Sequence, residues 1–191
     1  LLAPPLWGVL LWNLVVYALL MWGAVQALVA RKVAPPGLLI RGLQRVLGWG
    51  RAAGGGSAMQ ALSVAWARHG APLSEARAGG LLHTVAAALG VGLVAGLYLR
   101  GLVLDYRAGW ESTFLNAGQV HAALSLLLAP ALGLSGIGLP DVAALEAIRF
   151  APDRPAAGAS AASWIHLYAL TLALVVVLPR AVLALWSGYR A

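Results

Sequence analysis

The feature that most constrains this chain is an uncharged apolar run near its start. Leu6–Ala30 comprises 25 residues, of which only Asn13 and Gln26 are strongly polar. As an α-helix this run is about 37 Å long, enough to cross a hydrocarbon core of about 30 Å with some tilt. It is too long for a signal peptide, and no basic segment precedes it. The run therefore predicts a transmembrane helix over residues 6–30, ended by Arg31 and Lys32.

The composition of the whole chain agrees with a membrane location. Hydrophobic residues make up 61% of the chain and charged residues 10%, against about 45–50% and about 25% in soluble domains. A soluble fold with so few charges could not cover this apolar surface. The absence of cysteine excludes disulfides, iron–sulfur clusters and thiolate zinc sites.

The formal charge of +7 comes from 13 basic residues, nearly all of them arginines that flank apolar segments. This distribution is typical of contact with lipid headgroups, so we expect the lipid bilayer, and no nucleic acid, as a partner. Seven basic residues lie in the connecting loop 31–80, whereas the segment 105–163 carries more acids than bases. The positive-inside rule then places the loop of this multi-pass membrane protein in the cytoplasm, whereas a cytoplasmic domain upstream of Leu1 would reverse this orientation. The chain begins at Leu1 in mid-pattern and without a methionine, so we expect residues upstream of it.

A second span is predicted at residues 81–104. Within it, small residues recur at every fourth position, at Thr84, Ala88, Gly92 and Gly96. Such a stripe lets another helix approach closely within lipid. We therefore expect a homo- or hetero-oligomer that forms through this helix face.

The last span is predicted at residues 164–186 and contains Pro179 followed by Arg180. Two interpretations are open. A proline kink near the far interface would let the arginine reach the headgroups, and its position in the span favours this interpretation. The alternative is an intramembrane arginine that lines a cavity.

Within the segment 117–139, the apolar run 120–139 is interrupted by Pro130 and by three glycines, Gly133, Gly136 and Gly138. It is predicted to be a broken or re-entrant helix, or a poor fourth span, opened by a capping box at Asn116 and Gln119. Short amphipathic helices are predicted at residues 38–49 and 141–150. In the connecting loop, a glycine-rich linker at 51–57 precedes a short helix at 59–69, which Gly70, Ala71 and Pro72 would end. The fold class is thus an all-α polytopic helical membrane protein with one integral membrane domain, 1–191.

Motifs for catalysis are missing from the sequence. The single lysine follows no glycine-rich loop, no GxSxG is present, and the four histidines lack metal-ligand spacing. We expect no enzyme activity, cofactor or metal. What remains is a polar cluster after the second span, formed by Arg100, Asp105, Arg107 and Glu111 with Trp110; on a continuing helix Arg107 and Glu111 would pair.

The same stretch carries a resemblance to a known family. The chain resembles the bacterial domain-of-unknown-function family 2868 in the runs RGLVLDYRAGWESTFL (100–115), VH (120–121), WIHLYA (164–169) and LPR (178–180), and in its opening LLAPPLWGVLLWNLVVY. The resemblance implies a multi-span membrane protein, often encoded beside a GTPase, and hence a cytosolic GTPase partner. No catalytic residues of the family are established.

Two functions follow as expectations. The first is a non-enzymatic inner-membrane subunit that serves as a scaffold or anchor for a partner protein. The second is a channel or transporter component whose pore forms by oligomerisation. A lipid-modifying enzyme is a third, for which only His121, Glu111 and His166 could be proposed. The candidate structural or interaction residues are Arg100, Asp105, Arg107, Trp110, Glu111, Gly92, Gly96, His121, His166 and Arg180.

Overall fold

A computed structural model of the chain describes residues 4–30, 57–150 and 158–190. The predicted amphipathic helix at 38–49 and the predicted linker at 51–57 lie outside the described residues, except for Ser57, which begins a helix. The elements, in chain order, are α1 (Pro4–Ala30), α2 (Ser57–Val103), β1 (Arg107–Ala108), α3 (Ala117–Leu127), α4 (Ala129–Ser135), α5 (Val142–Ala147), β2 (Ala159–Ser160), α6 (Ala162–Leu172), a π-helical segment (Ala173–Val177) and α7 (Leu178–Tyr189). The predicted all-α class is confirmed.

Among the described residues, three helical stretches are long and apolar enough to cross a membrane. They are Pro5–Gln26, Ala76–Val103 and Ala162–Tyr189, close to the three predicted spans. The prediction that a short helix ends at residues 70–72 is wrong, because α2 is continuous from Ser57. A proline removes one backbone hydrogen bond, yet its fixed φ is compatible with a helix, and α2 continues through Pro72.

The last span continues past Pro179 by widening its turns. Pro179 has no N–H to donate, and the five residues Ala173–Val177 just before it are π-helical, with the Leu178 N–H donating to the Ala173 carbonyl. Local π-turns of this kind accommodate proline in transmembrane helices. The span is therefore one uninterrupted 28-residue stretch.

By its contacts the chain divides into two compact units, one of Leu1–Leu14 with Val85–Ala181 and one of Val15–Thr84 with Val182–Ala191. In the second unit the helices expose large apolar side chains such as Met21, Trp22 and Leu185. A helix that is apolar all round, as α1 is, fits a lipid environment.

The first unit contains two buried clusters. One joins α3, α4 and α5 to α6 and includes Leu124, Leu128, Leu145 and Leu167. The other packs Leu10 of α1 against Leu172 and Val176 of the last span. Together these clusters pack three helix ends against the segment α3–α4. The three are the start of α1, the end of α2 and the start of the last span.

The helices α3 and α4 form the predicted broken segment, bent by 71° at Leu128. The capping box at Asn116 is confirmed, with both reciprocal hydrogen bonds to Gln119 present. Asp141 likewise caps α5, which is shorter than the predicted helix at 141–150. Leu128 carries the bend because the helix restarts there with proline at its N-terminal turn.

This bent segment begins and ends at the same end of the bundle. Ala161 N–H donates to the Tyr106 carbonyl (3.1 Å), so the end of α2 and the start of α6 are adjacent. Trp110 Nε1 donates to the Leu145 carbonyl (2.7 Å), which brings the chain after α4 back to that end. The two helices are about 16 and 10 Å long, and bent by 71° they cannot cross a core of about 30 Å. We therefore interpret α3–α4 as a re-entrant segment.

Candidate functional site at the capped end of the bundle

The polar residues after the second span fold into a small cap over one end of the bundle, formed by residues 104–116, 136–150 and 158–161. Its base is an antiparallel pairing of β1 and β2, with Arg107 opposite Ser160 and Ala108 opposite Ala159. Gly158 is required there, because a Cβ would lie 2.8 Å from the Arg107 Cβ and 3.0 Å from the Ala108 carbonyl oxygen. The cap thus depends on close backbone contact between segments far apart in sequence.

Trp110 is the buried anchor of the cap. Its indole Nε1 donates to the Leu145 carbonyl, and its own carbonyl accepts from the Phe150 N–H at 2.8 Å. The Arg149 guanidinium lies 5.0 Å from the centre of the Trp110 ring, a cation–π contact. Gly109 must be glycine, because a Cβ at this position would overlap the Phe150 ring. The predicted candidate Trp110 therefore has a structural role within the described cap.

The charged residues of the predicted cluster are exposed. Arg107 Nε lies 3.7 Å from Asp105 Oδ2, and both side chains are largely solvent-accessible (61% and 83%); an Arg107 Nη1 also donates to the Gly158 carbonyl at 3.3 Å. The helical pairing of Arg107 with Glu111 does not form, because α2 ends at Val103 and Arg107 belongs to a strand. Glu111 instead lines a polar notch of about 440 Å³ together with Ser112, Thr113, Arg149 and Phe150.

Residues 112–116 form a fixed loop that presents one large apolar side chain. Ser112 Oγ accepts from the backbone N–H groups of Phe114 (3.2 Å) and Leu115 (3.0 Å), and the Asn116 capping box follows directly. Phe114 is 91% exposed. Sequence reasoning did not select Phe114, since only the surrounding hydrogen bonds show that the loop is held in place while the ring stays outside.

A cavity of about 550 Å³ opens beside the cap. Its apolar walls come from Leu6, Leu93, Leu97, Trp164, Ile165 and Tyr168. Gly92 and Gly96 line one side of the cavity and leave it open there, because they have no side chains. Arg100, Tyr106 and Arg107 lie at its polar end. Arg100 has no carboxylate partner among the described residues, so the polar end carries net positive charge.

The stripe of small residues on α2 is divided between this cavity and the outer surface. Each step of four residues turns the helix by about 40° beyond a full turn, so the stripe winds around it. Thr84 and Ala88 are exposed, whereas Gly92 and Gly96 border the cavity. Neither glycine is a contact point between described helices, because a Cβ on either would meet nothing within 4 Å.

The close helix contact of α2 is made by a different glycine. A Cβ on Gly90 would lie 2.9 Å from a methyl of Val177 and 3.3 Å from one of Val176, in the π-helical segment of the last span. Gly90 lies on the inner face of α2, opposite the exposed part of the stripe. Sequence spacing alone did not distinguish it from the glycines of the stripe.

The two candidate histidines are placed apart, each with its own hydroxyl partner. His166 Nδ1 and the Tyr98 hydroxyl are 2.8 Å apart, which joins α6 to α2. His121 Nδ1 lies 3.5 Å from Ser125 Oγ, one turn along α3. Within the described part of the chain, no group of three His, Cys, Asp or Glu side chains is arranged to hold a metal ion.

Arg180 is buried, so the favoured interpretation that it reaches the headgroups is wrong. Its Nε donates to Asn13 Oδ1 on α1 at 2.8 Å, and both residues are 5% exposed. Asn13 Nδ2 in turn donates to the Val9 carbonyl at 2.8 Å. Side chains on a helix point toward its N-terminus, which directs Arg180 back into the span rather than out of it. Arg180 does not line the cavity beside the cap; it joins two spans through a charge-assisted hydrogen bond.

Comparison with known proteins gives one match. A family model described as a protein of unknown function (DUF2868) matches residues 47–191, about three quarters of the chain. No curated protein matches the chain. No solved structure matches it either.

Proposed function

The chain belongs to the DUF2868 family of proteins of unknown function, and from that premise we propose that it is a non-enzymatic subunit of a membrane complex, which anchors or scaffolds a partner protein. The family membership confirms the resemblance drawn from the runs at residues 100–115, 120–121, 164–169 and 178–180, whereas the opening run lies outside the matched residues. The three spans show that the chain is a helical membrane protein. Its role as a subunit is our proposal.

The observation that carries the proposal is the open outer part of the α2 stripe. Thr84 and Ala88 are exposed and Gly92, next along the stripe, has nothing within 4 Å of its would-be Cβ among the described residues. Small residues at a four-residue spacing allow helix backbones to approach closely in lipid, where packing replaces the hydrophobic effect as the driving force. A helix of a second copy or of another subunit fits such a face.

The orientation and the soluble partner belong to the same proposal. The segment 105–163 carries more acids than bases, whereas the segment 31–80 carries seven basic residues. By the positive-inside rule we place the residues of segment 31–80 that lie outside the bilayer in the cytoplasm, at a bacterial inner membrane. The partner implied by the family resemblance, a cytosolic GTPase, would then bind on this cytoplasmic side.

The test is the mass of the complex in mild detergent, compared for the wild type and Ala88→Leu. A leucine on the exposed stripe blocks close approach of a second helix, so Ala88→Leu should reduce the assembly to the single chain. The matched control is Ala18→Leu, the same change at an exposed position of α1, which should leave the mass unchanged. A wild-type chain that runs as a partner-free monomer would contradict the proposal.

A second candidate, a channel or transporter component, is favoured by one feature. The segment α3–α4 is bent by 71° between the other helices, as in the broken helices around which such proteins build their pathways. Flux of ions or small solutes into liposomes that contain the protein separates the two functions. Flux that Ala88→Leu abolishes would favour a pore formed by oligomerisation over a scaffold.

A further inference from the structure

The cavity beside the cap has an apolar part and a positively charged end, which match the acyl chain and the headgroup of a lipid molecule. Its walls are aliphatic and aromatic, chiefly Leu97, Trp164, Ile165 and Tyr168, and they continue along the apolar end of α2. Arg100 and Arg107 line its polar end. Pockets of about 300–1,000 Å³ with apolar walls and a few converging polar groups are typical of small-ligand sites.

The position of the cavity along the bundle places its polar end at headgroup depth. Arg100 is in the last turn of the apolar span Ala76–Val103, and it is exposed. Leu93 and Gly96 lie about one to two turns further into the span and line the apolar part. An occupant would thus have its charged group at the membrane surface and its apolar part within the hydrocarbon layer.

The charge at the polar end selects an anionic occupant. Arg100 has no carboxylate partner among the described residues, and Arg107 is paired with one exposed carboxylate, that of Asp105. Arginine binds phosphate through strong charge-assisted hydrogen bonds. We propose that the cavity binds one anionic phospholipid of the surrounding leaflet, with its phosphate at Arg100 and Arg107 and an acyl chain along Gly96, Leu97 and Ile165.

This site shares Gly92 with the subunit contact proposed above, but its contacts to the lipid lie at Gly96 and Arg100, further along α2, and it does not use Ala88. The experiment is native mass spectrometry of the full chain in mild detergent, titrated with phosphatidylglycerol and with phosphatidylcholine of the same acyl chains. The expected result is one tightly bound phosphatidylglycerol, with at least tenfold weaker binding of phosphatidylcholine. Glycerol phosphate, which has the anionic group without the chains, should not compete at equal concentration.

Two variants test the two halves of the site. Arg100→Gln, at an exposed position, should weaken the binding of phosphatidylglycerol by about tenfold or more, as expected for loss of a charge-assisted hydrogen bond. It should weaken the binding of phosphatidylcholine less, because the choline group offsets the charge of the same phosphate. Gly96→Leu fills the cavity without meeting an atom within 4 Å of its Cβ, and should abolish binding of both lipids. Gly8→Leu, where a Cβ likewise meets nothing within 4 Å, is the matched control outside the cavity and should bind as the wild type does.

Several outcomes would overturn the proposal. Equal affinity of the wild type for the two lipids would remove the anionic selectivity, and competition by glycerol phosphate would identify a site for a soluble phosphate instead. Undiminished lipid binding by a folded Gly96→Leu, checked by circular dichroism, would place the lipid elsewhere. If Gly96→Leu does not fold, unchanged phosphatidylglycerol affinity in Arg100→Gln would refute the proposal by itself.

Discussion

The hydrogen bond between Arg180 and Asn13 predicts a strong energetic coupling between the first and last spans. The bond is 2.8 Å long and both residues are 5% exposed. A hydrogen bond to a charged group contributes about 1.5–3 kcal/mol net, and a buried group left without its partner costs about 1–3 kcal/mol or more. Between neutral side chains within membranes, measured interhelical hydrogen bonds average only about 0.6 kcal/mol. We therefore expect a coupling near 2 kcal/mol.

The perturbation is a double-mutant cycle of Asn13→Leu and Arg180→Met. Asn13→Leu removes the acceptor of a charge-assisted hydrogen bond from the buried guanidinium, so it should lower the free energy of unfolding by about 1.5–3 kcal/mol. Arg180→Met removes the charge and should cost less, because a neutral amide is the group left behind. The double variant should be more stable than the sum of the two changes predicts, since replacing both partners by apolar groups can be nearly neutral.

The assay is reversible unfolding of the four proteins in mixed micelles, followed by tryptophan fluorescence. Arg190→Met, at an exposed arginine near the chain end, is the control and should change the free energy of unfolding by less than about 0.5 kcal/mol. Strictly additive changes, with a coupling below about 0.5 kcal/mol, would refute the reasoning, because the guanidinium would then be held by groups other than Asn13.

The structure predicts the effects of three further substitutions. Gly109→Ala should destabilise the cap by about 1–3 kcal/mol, because its Cβ would overlap the Phe150 ring; equal melting temperatures of variant and wild type would contradict this packing. Tyr98→Phe should cost about 0.6–1.7 kcal/mol through loss of its 2.8 Å hydrogen bond to His166, and nuclear magnetic resonance should show a shifted His166 ring signal, whereas an unmoved signal would mean that the bond is not made. Glu111→Ala should change thermal stability by less than about 0.5 kcal/mol, because the side chain is exposed; a loss of several kcal/mol would show that Glu111 is paired after all.

The features that sequence predicted correctly depend on short stretches of chain. The three spans follow from length and apolar composition, and the bend at Leu128 follows from the neighbouring Pro130. The capping box of Asn116 with Gln119 is also local, since both hydrogen bonds lie within four residues. Backbone geometry and the cost of unpaired polar groups in lipid act at this scale, so they can be inferred without knowledge of the fold.

The candidate site was only partly predictable, because its contacts join distant segments. The run at 100–115 was recognised as unusual, yet nothing in it indicates that Trp110 donates to Leu145 or that the helix ends before Arg107. The cavity was missed altogether, since its walls come from α1, α2, α6 and the cap. Among the described glycines of α2, the tightest contact is that of Gly90, outside the conspicuous four-residue stripe.

The sequence by itself determined that this chain is a helical membrane protein, because a run of uncharged apolar residues long enough to cross a bilayer has no other stable environment. Only the tertiary structure decided what its polar residues do. Arg180 and Asn13 are 167 positions apart, and each alone fits an interfacial anchor or a tolerated polar residue. Their meeting depends on how the first and last spans pack, and the energy of a buried charge depends on its partner rather than on its position in the sequence.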